Sequence, residues 1–240
     1  MASVIQFTAV NYPESDGKPM GETDIHIEET IRLRQVLKRY YAGQRVYVSG
    51  NILVFYEQGN PKKFVVPDLL VVKAVEPGDR RVYKIWREGK PPDAIIEITS
   101  RKTKKKDTVT KPALYRRLGV PEYFLFDPTE DYLAPPLQGY RLAGRRYKPI
   151  LPDAEGAIES EQLGTRLHAE GQQLVLYRLD TGERLLSTEE AREAAEEARR
   201  VEAEGRRVEA EARRAEAEAR RAAEAEVAQL REELRRRSET

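Results

Sequence analysis

The sequence predicts an α/β protein, a buried sheet served by a crossover helix, followed by a long charged helix. Three observations carry this. Between Phe64 and Asp127 the chain has three short apolar runs, FVVPDLLVV, AIIEIT and EYFLF, rich in β-branched or aromatic residues, with one helical segment, KPALYRRLG, before the last. From Ser187 onward the composition becomes almost wholly Glu, Arg and Ala. Two carboxylates, Asp68 and Glu97, interrupt or flank the first two runs. A charge inside an apolar strand is costly without a partner, and a metal ion or a lysine is the usual one.

The totals set limits. The 240 residues divide by composition into an N-terminal arm (1–21), a globular domain (22–186) and a charged helix (187–240). Basic residues number 42 against 41 acidic, a net charge of +1, so a phosphate-bearing partner must be met by a local patch rather than by the whole surface. No cysteine is present, which excludes disulfides and thiolate metal sites, and His26 and His168 are too few for a histidine-rich zinc site. The metal chemistry left is a hard cation on oxygen ligands. Neither a signal-peptide pattern nor a membrane-length apolar run is present, so a cytoplasmic protein without a membrane partner is expected.

Asn11-Tyr12-Pro13 and Gly17-Lys18-Pro19 mark the arm as irregular. Thr23 or Asp24 can cap a helix running to about Tyr41, with Gly43 just beyond it. Ile27, Ile31, Leu33, Val36, Leu37 and Tyr40 would form its packed face. Glu22, His26 and Glu29 then read as a solvated first turn, with the alternative that one joins the acidic site. Arg45 to Glu57 reads as one or two strands broken near Ser49-Gly50-Asn51, and Gln58-Gly59-Asn60-Pro61 as a turn. Pro67 argues for an edge or a bulge that re-aims Asp68. Glu76 to Pro92, with the single Trp86, reads as a long loop. The helix after Glu97 begins between Asp107 and Lys111, holds Pro112 in its first turn, buries Leu114, Tyr115 and Leu118, and stops at Gly119. Residues 137–179 read as hairpins that finish the domain.

In the last segment EARRVEA, EGRRVEA and EARRAEA form a seven-residue repeat with Ala198, Val201, Gly205, Val208, Ala212, Ala215, Ala219 and Ala222 on one seam. After a one-residue slip the seam resumes as Val227, Leu230 and Leu234. An alanine-rich seam buries little area, so a weak coiled coil and a solitary helix held by Glu–Arg pairs both satisfy the pattern.

Asp68 and Glu97, at the ends of neighbouring strands, can bind one or two Mg²⁺ ions, with Mn²⁺ as a substitute. Such ions polarise a phosphodiester and help generate hydroxide, and a nearby lysine would orient or deprotonate the attacking water. Taken singly, Asp68 reads equally well as a turn acid after Pro67, and Glu97 as a rim carboxylate paired with Arg or Lys. The basic run Arg101, Lys102, Lys104, Lys105 and Lys106, directly after the Glu97 strand, favours the functional reading, because a cationic loop there would meet a phosphate backbone.

The ordered series PDLLVV, PPDAIIEITSRKTKKKD and KPALYRRLGVPEYFLFDP resembles the Uma-two family of restriction endonucleases, within the PD-(D/E)XK nuclease superfamily, over about residues 10–180. GETDIH, YVSGNILVFYEQGNP and the Glu-Arg-Ala tail are similar to a branch of it. The resemblance implies a restriction-endonuclease-like mixed β-sheet flanked by helices, with Asp68 and Glu97 as metal ligands. The superfamily's lysine two residues after the second acid is Thr99 here. The resemblance implies that a lysine from the following helix substitutes, and the matching position is Lys111, with Lys102 second. Pro112, next to Lys111, departs from the expected pattern. An acid from the first helix, Glu22 or Glu29, is implied as well.

Two main functions follow. One is a metal-dependent endonuclease acting on nucleic acid, DNA foremost, through Asp68, Glu97 and Lys111. The other is an inactive nuclease-fold protein that binds nucleic acid or scaffolds a partner. A third reading is a structural oligomer built by the tail. A homodimer or higher oligomer through the C-terminal helix fits all three.

Overall fold

The computed structural model describes residues 10–15 and 23–238. In chain order its elements are helix α1 (Asp24–Tyr40), strands β1 (Val46–Ser49), β2 (Val54–Phe55), β3 (Phe64–Val65), β4 (Leu69–Lys73) and β5 (Tyr83–Lys84), and the one-turn helix α2 (Ile85–Glu88). Then come β6 (Ala94–Ile98), a π-helical turn (Lys106–Thr110) leading into α3 (Lys111–Leu118), β7 (Glu122–Phe126), β8 (Leu137–Ala143) and β9 (Arg146–Ile150). Strands β10 (Ile158–Ser160), β11 (Thr165–Glu170) and β12 (Gln173–Arg178) and helix α4 (Thr188–Ser238) complete the chain. It divides into two units, Met1–Thr188 and Glu189–Thr240. Among the described residues no helix is long and apolar enough to cross a membrane.

The fold is α/β. A six-stranded mixed sheet runs in the order β1-β4-β6-β7-β8-β9, and two three-stranded sheets, β10-β11-β12 and β3-β2-β5, accompany it. In the large sheet β6 and β7 are parallel and the other neighbours antiparallel. A parallel pair needs a crossover, and α3 supplies it. Alternation along the central strands sorts their side chains into two layers. Leu69, Val71, Ile96, Ile98, Phe124 and Phe126 pack with Leu33 and Leu37 of α1 and with Leu167, Leu174 and Leu176. Leu70, Val72, Ile95, Tyr123 and Leu125 pack with Tyr115 of α3. Glu97, between Ile96 and Ile98, therefore points to the α3 layer.

Several local expectations are corrected. On α1, Thr23 is the N-cap, but the buried stripe is His26, Glu29, Thr30, Leu33, Val36 and Leu37, while Ile27 and Ile31 are exposed. The stripe keeps helical spacing but contains polar members, so hydrophobicity alone rotates it wrongly. His26 and Glu29 are thus not a solvated first turn. FVVPDLLVV is not one strand: β3 is an edge strand of the small sheet, β4 belongs to the large one, and Pro67-Asp68 is the junction. The segment with Trp86 is not all loop, because it forms β5 and α2. Of the arm, Tyr12 meets Phe55 edge-on and Trp86 at a tilt and accepts a hydrogen bond from Gly59 N–H, while Gly17-Lys18-Pro19 lies outside the described residues.

The helix carrying Lys111 begins earlier than expected, with helical backbone from Lys104. Pro112 has no N–H, and its ring crowds the carbonyl four residues back. The turn before it widens: Lys111 N–H donates to the Lys106 carbonyl, a step of five residues. In that register the Asp107 carbonyl would pair with the N–H that Pro112 lacks, and the Tyr123 hydroxyl of β7 donates to it instead, at 2.6 Å. At the other end Gly119 takes a left-handed conformation, φ +81°, to stop the helix.

Candidate active site

The register of β4 on β6, Leu69 opposite Ile96, sets Asp68 opposite Glu97. Asp68 N–H donates to Glu97 Oε2 (3.1 Å), and Ile98 N–H donates to Asp68 Oδ2 (2.8 Å), so each carboxylate is aimed by the other strand's backbone. The bend between β1 and β2 holds the junction from outside. Asn51 N–H donates to the Pro67 carbonyl (3.0 Å), and a Cβ on Gly50 would lie 2.3 Å from the Asp68 carbonyl oxygen. No side chain larger than glycine's fits there without moving Asp68.

Helix α3 closes the site. Lys111 Nζ donates to Glu97 Oε2 at 2.7 Å, and Tyr115, one turn on, donates its hydroxyl to Glu97 Oε1 at 2.7 Å. Glu97 is fully buried and is met by three donors. A third carboxylate, Asp107, reaches the same ammonium: Lys111 Nζ lies 3.0 Å from Asp107 Oδ1. From α1, His26 Nε2 stands 3.3 Å from Asp68 Oδ2.

The structure thus brings Asp68, Glu97 and Lys111 together. Lys102, the other lysine candidate, is exposed in the turn after β6. Thr99, where the resemblance led one to expect a lysine, is buried, and its hydroxyl has no hydrogen-bond partner. Arg101, Lys102, Lys104, Lys105 and Lys106 are all exposed, but the segment is a turn that winds into helix at Lys104 and not an open loop. Glu22 lies outside the described residues. Glu29 is engaged elsewhere: Arg32 binds both its oxygens at 2.8 Å, and Leu174 N–H of β12 donates to Oε1 at 2.7 Å. His26, one of the three first-turn residues that the alternative reading allowed into the acidic site, is the α1 group at Asp68; the residue that sequence reasoning missed is Asp107. The signal for His26 was its place on the stripe with Thr30 and Leu33. For Asp107 it was the i, i+4 spacing to Lys111.

Burial pushes Glu97 up; Lys111 pulls it back, and Asp68 and Asp107 push again, which leaves its carboxyl well above the usual range. Burial also raises Asp107 against the pull of Lys111. Burial works on Asp68 in the same sense, but the His26 contact, the Lys111 charge and the Ile98 N–H together outweigh it and hold that group low. Burial disfavours the Lys111 ammonium, yet Glu97, Asp68 and Asp107 outweigh it and hold Lys111 protonated above its ordinary range. The net picture is three carboxyls around one ammonium in a poorly solvated place, with only Asp68 held below its ordinary range.

Among the described residues no three His, Cys, Asp or Glu side chains converge as a ready-made metal site. Lys111 Nζ lies between two of the acids, 2.7 Å from Glu97 Oε2 and 3.0 Å from Asp107 Oδ1. In kind, however, the donors fit a hard cation. They are oxygen ligands, and the Thr99 hydroxyl is buried without a hydrogen-bond partner.

A mixed sheet with carboxylates and a lysine at a strand junction defines an α/β protein with a buried ionic site at its sheet. Residues 10–204 match the family model described as "Uma2: Putative restriction endonuclease", and the chain belongs to that family. It is also similar to a solved structure described as a putative nuclease belonging to DUF820 from Anabaena variabilis, at 16% identity and a TM-score of 0.43, over 64% of this chain and 86% of that one. No curated protein matches the chain.

Proposed function

We propose that this protein is a metal-dependent endonuclease that hydrolyses phosphodiester bonds of nucleic acid, with DNA as the substrate. The observation that carries the reading is the buried cluster of Asp68, Glu97 and Asp107 around the single Lys111 ammonium, a set of carboxyl oxygen donors of the kind that suits a divalent cation. Asp68 and Glu97 would hold Mg²⁺, or Mn²⁺ in its place, and the bound ion would supply charge neutralisation and polarisation at a phosphodiester. The Ile98 N–H and His26 orient Asp68, and the Tyr115 hydroxyl orients Glu97. Lys111 is held as an ammonium, so its role is to donate to water or to a phosphate oxygen and to offset developing negative charge, and not to take a proton. The exposed run Arg101, Lys102, Lys104, Lys105 and Lys106, adjoining β6, supports contact with a phosphate backbone. The exposed apolar residues of α4, Val201, Val208, Val227, Leu230 and Leu234, support pairing with a second copy.

The test is calorimetric titration of Mn²⁺ and Mg²⁺ into the wild type and into the Asp68→Ala, Glu97→Ala double variant. Binding by the wild type that disappears in the double variant is expected. Nucleic-acid affinity that ignores Mg²⁺ and survives Asp68→Ala, with no metal uptake, would contradict the reading.

A further inference from the structure

Asp107 is a costly residue to keep where it is. It is fully buried, and its charge partner is Lys111 Nζ, 3.0 Å from Oδ1. A lone buried carboxylate is strongly unfavourable. The backbone nonetheless fixes it in this spot twice over: Asp107 N–H donates to the Thr103 carbonyl at 2.9 Å, and the Asp107 carbonyl, left without a helical donor by Pro112, receives the Tyr123 hydroxyl. The widened turn and Pro112 therefore serve one placement, Asp107 beside Lys111.

The Lys111 ammonium is shared. It lies 2.7 Å from Glu97 Oε2 and 3.0 Å from Asp107 Oδ1, and it has three protons to give. Glu97 Oε2 is also the oxygen that receives Asp68 N–H, so it faces the junction of the two acids. A cation arriving between Asp68 and Glu97 would compete with Lys111 for that oxygen.

We propose that Asp107 is a positioning residue that retains the Lys111 ammonium when Glu97 turns to a divalent cation, so that Lys111 changes partner instead of leaving the site. This rests on the metal-dependent reading above. It assigns Asp107 no contact with substrate: its effect passes through Lys111.

The test observes Lys111 directly, by NMR of lysine ammonium groups in the ¹⁵N-lysine full-length protein, with the Lys111 signal assigned by its absence in Lys111→Arg. Mg²⁺ is the probe. Its arrival is read independently on the backbone amides of Asp68 and Ile98, which donate into the two acids. In the wild type the ammonium should stay protected from solvent exchange with and without Mg²⁺. In Asp107→Asn it should be protected without Mg²⁺, because Glu97 still holds it, and exchange at least about tenfold faster once Mg²⁺ is bound, the loss of one charge-assisted hydrogen bond. The same comparison is made with Asp107→Ser should the asparagine variant not fold. A wild-type ammonium that loses protection on Mg²⁺ binding, or variants that keep it, would overturn the proposal with the metal reading intact. Amides of Asp68 and Ile98 that ignore Mg²⁺ would overturn both.

Discussion

Glu97 is completely buried and has three hydrogen-bond donors, Lys111 Nζ, Tyr115 Oη and Asp68 N–H. The donors favour the carboxylate; burial and the neighbouring Asp68 and Asp107 oppose it and prevail in the cation-free protein. The consequence for stability has a definite sign. With the folded-state pKa above its ordinary value of 4.5, the folded protein binds more protons than the unfolded chain between those two values. Stability without metal is therefore full below that window and is lost as pH rises through it. Glu97→Gln has no such proton, so relative to it the wild type should lose about 1.4 kcal/mol per pH unit across the window. Denaturant titrations of both proteins at several pH values read this directly. A difference that does not change with pH would show that Glu97 is not held high.

The helix before β7 shows how one residue shapes an element. Pro112 denies the backbone a donor, the turn at Lys106–Thr110 widens, and Tyr123 from β7 fills the Asp107 carbonyl that is left over. Tyr123→Phe leaves that carbonyl unpaired in the core and should destabilise the protein by about 1–3 kcal/mol, the usual cost of a buried polar group left without its partner. Denaturant unfolding measures it, and a change near zero would mean that the hydroxyl is dispensable to the turn. The same element marks the limit of what sequence could tell. The β6–α3–β7 unit was legible because apolar runs with β-branched and aromatic residues flank an amphipathic helix; Asp68 and Glu97 stood out as acids beside apolar runs, and Lys111 was named through the family resemblance. The π turn was not, because the signal that announces it, Pro112, reads locally as a helix start. Nor was the α1 stripe: His26 and Glu29 are buried through contacts with Asp68 and Leu174, 42 and 145 residues away in the chain, which no local periodicity encodes.

At the scale of the whole chain, two units of different character are joined at Thr188. In the first, two apolar layers enclose the central strands. In α4, 51 residues of helix satisfy their charges along the helix itself, through pairs such as Arg192–Glu196, Arg206–Glu202 and Arg213–Glu209, each weak because it is exposed. What those pairs leave unused is the apolar seam, with Val227, Leu230 and Leu234 exposed. If the seam pairs two copies, Leu230→Glu with Leu234→Glu should lower the sedimentation-derived mass of the full-length protein toward 27.5 kDa without changing its melting temperature; an unchanged mass would exclude the seam as the contact. The central claim concerns the first unit, and its most direct test is nicking of supercoiled plasmid DNA in Mg²⁺ by the wild type, Glu97→Gln and Lys111→Ala. The account predicts nicking by the wild type that a chelator abolishes, and a loss of about a hundredfold or more in either variant, the scale expected for removal of a charge-stabilising group. Intact plasmid with folded wild type in both Mg²⁺ and Mn²⁺, or equal nicking by all three proteins, would contradict it.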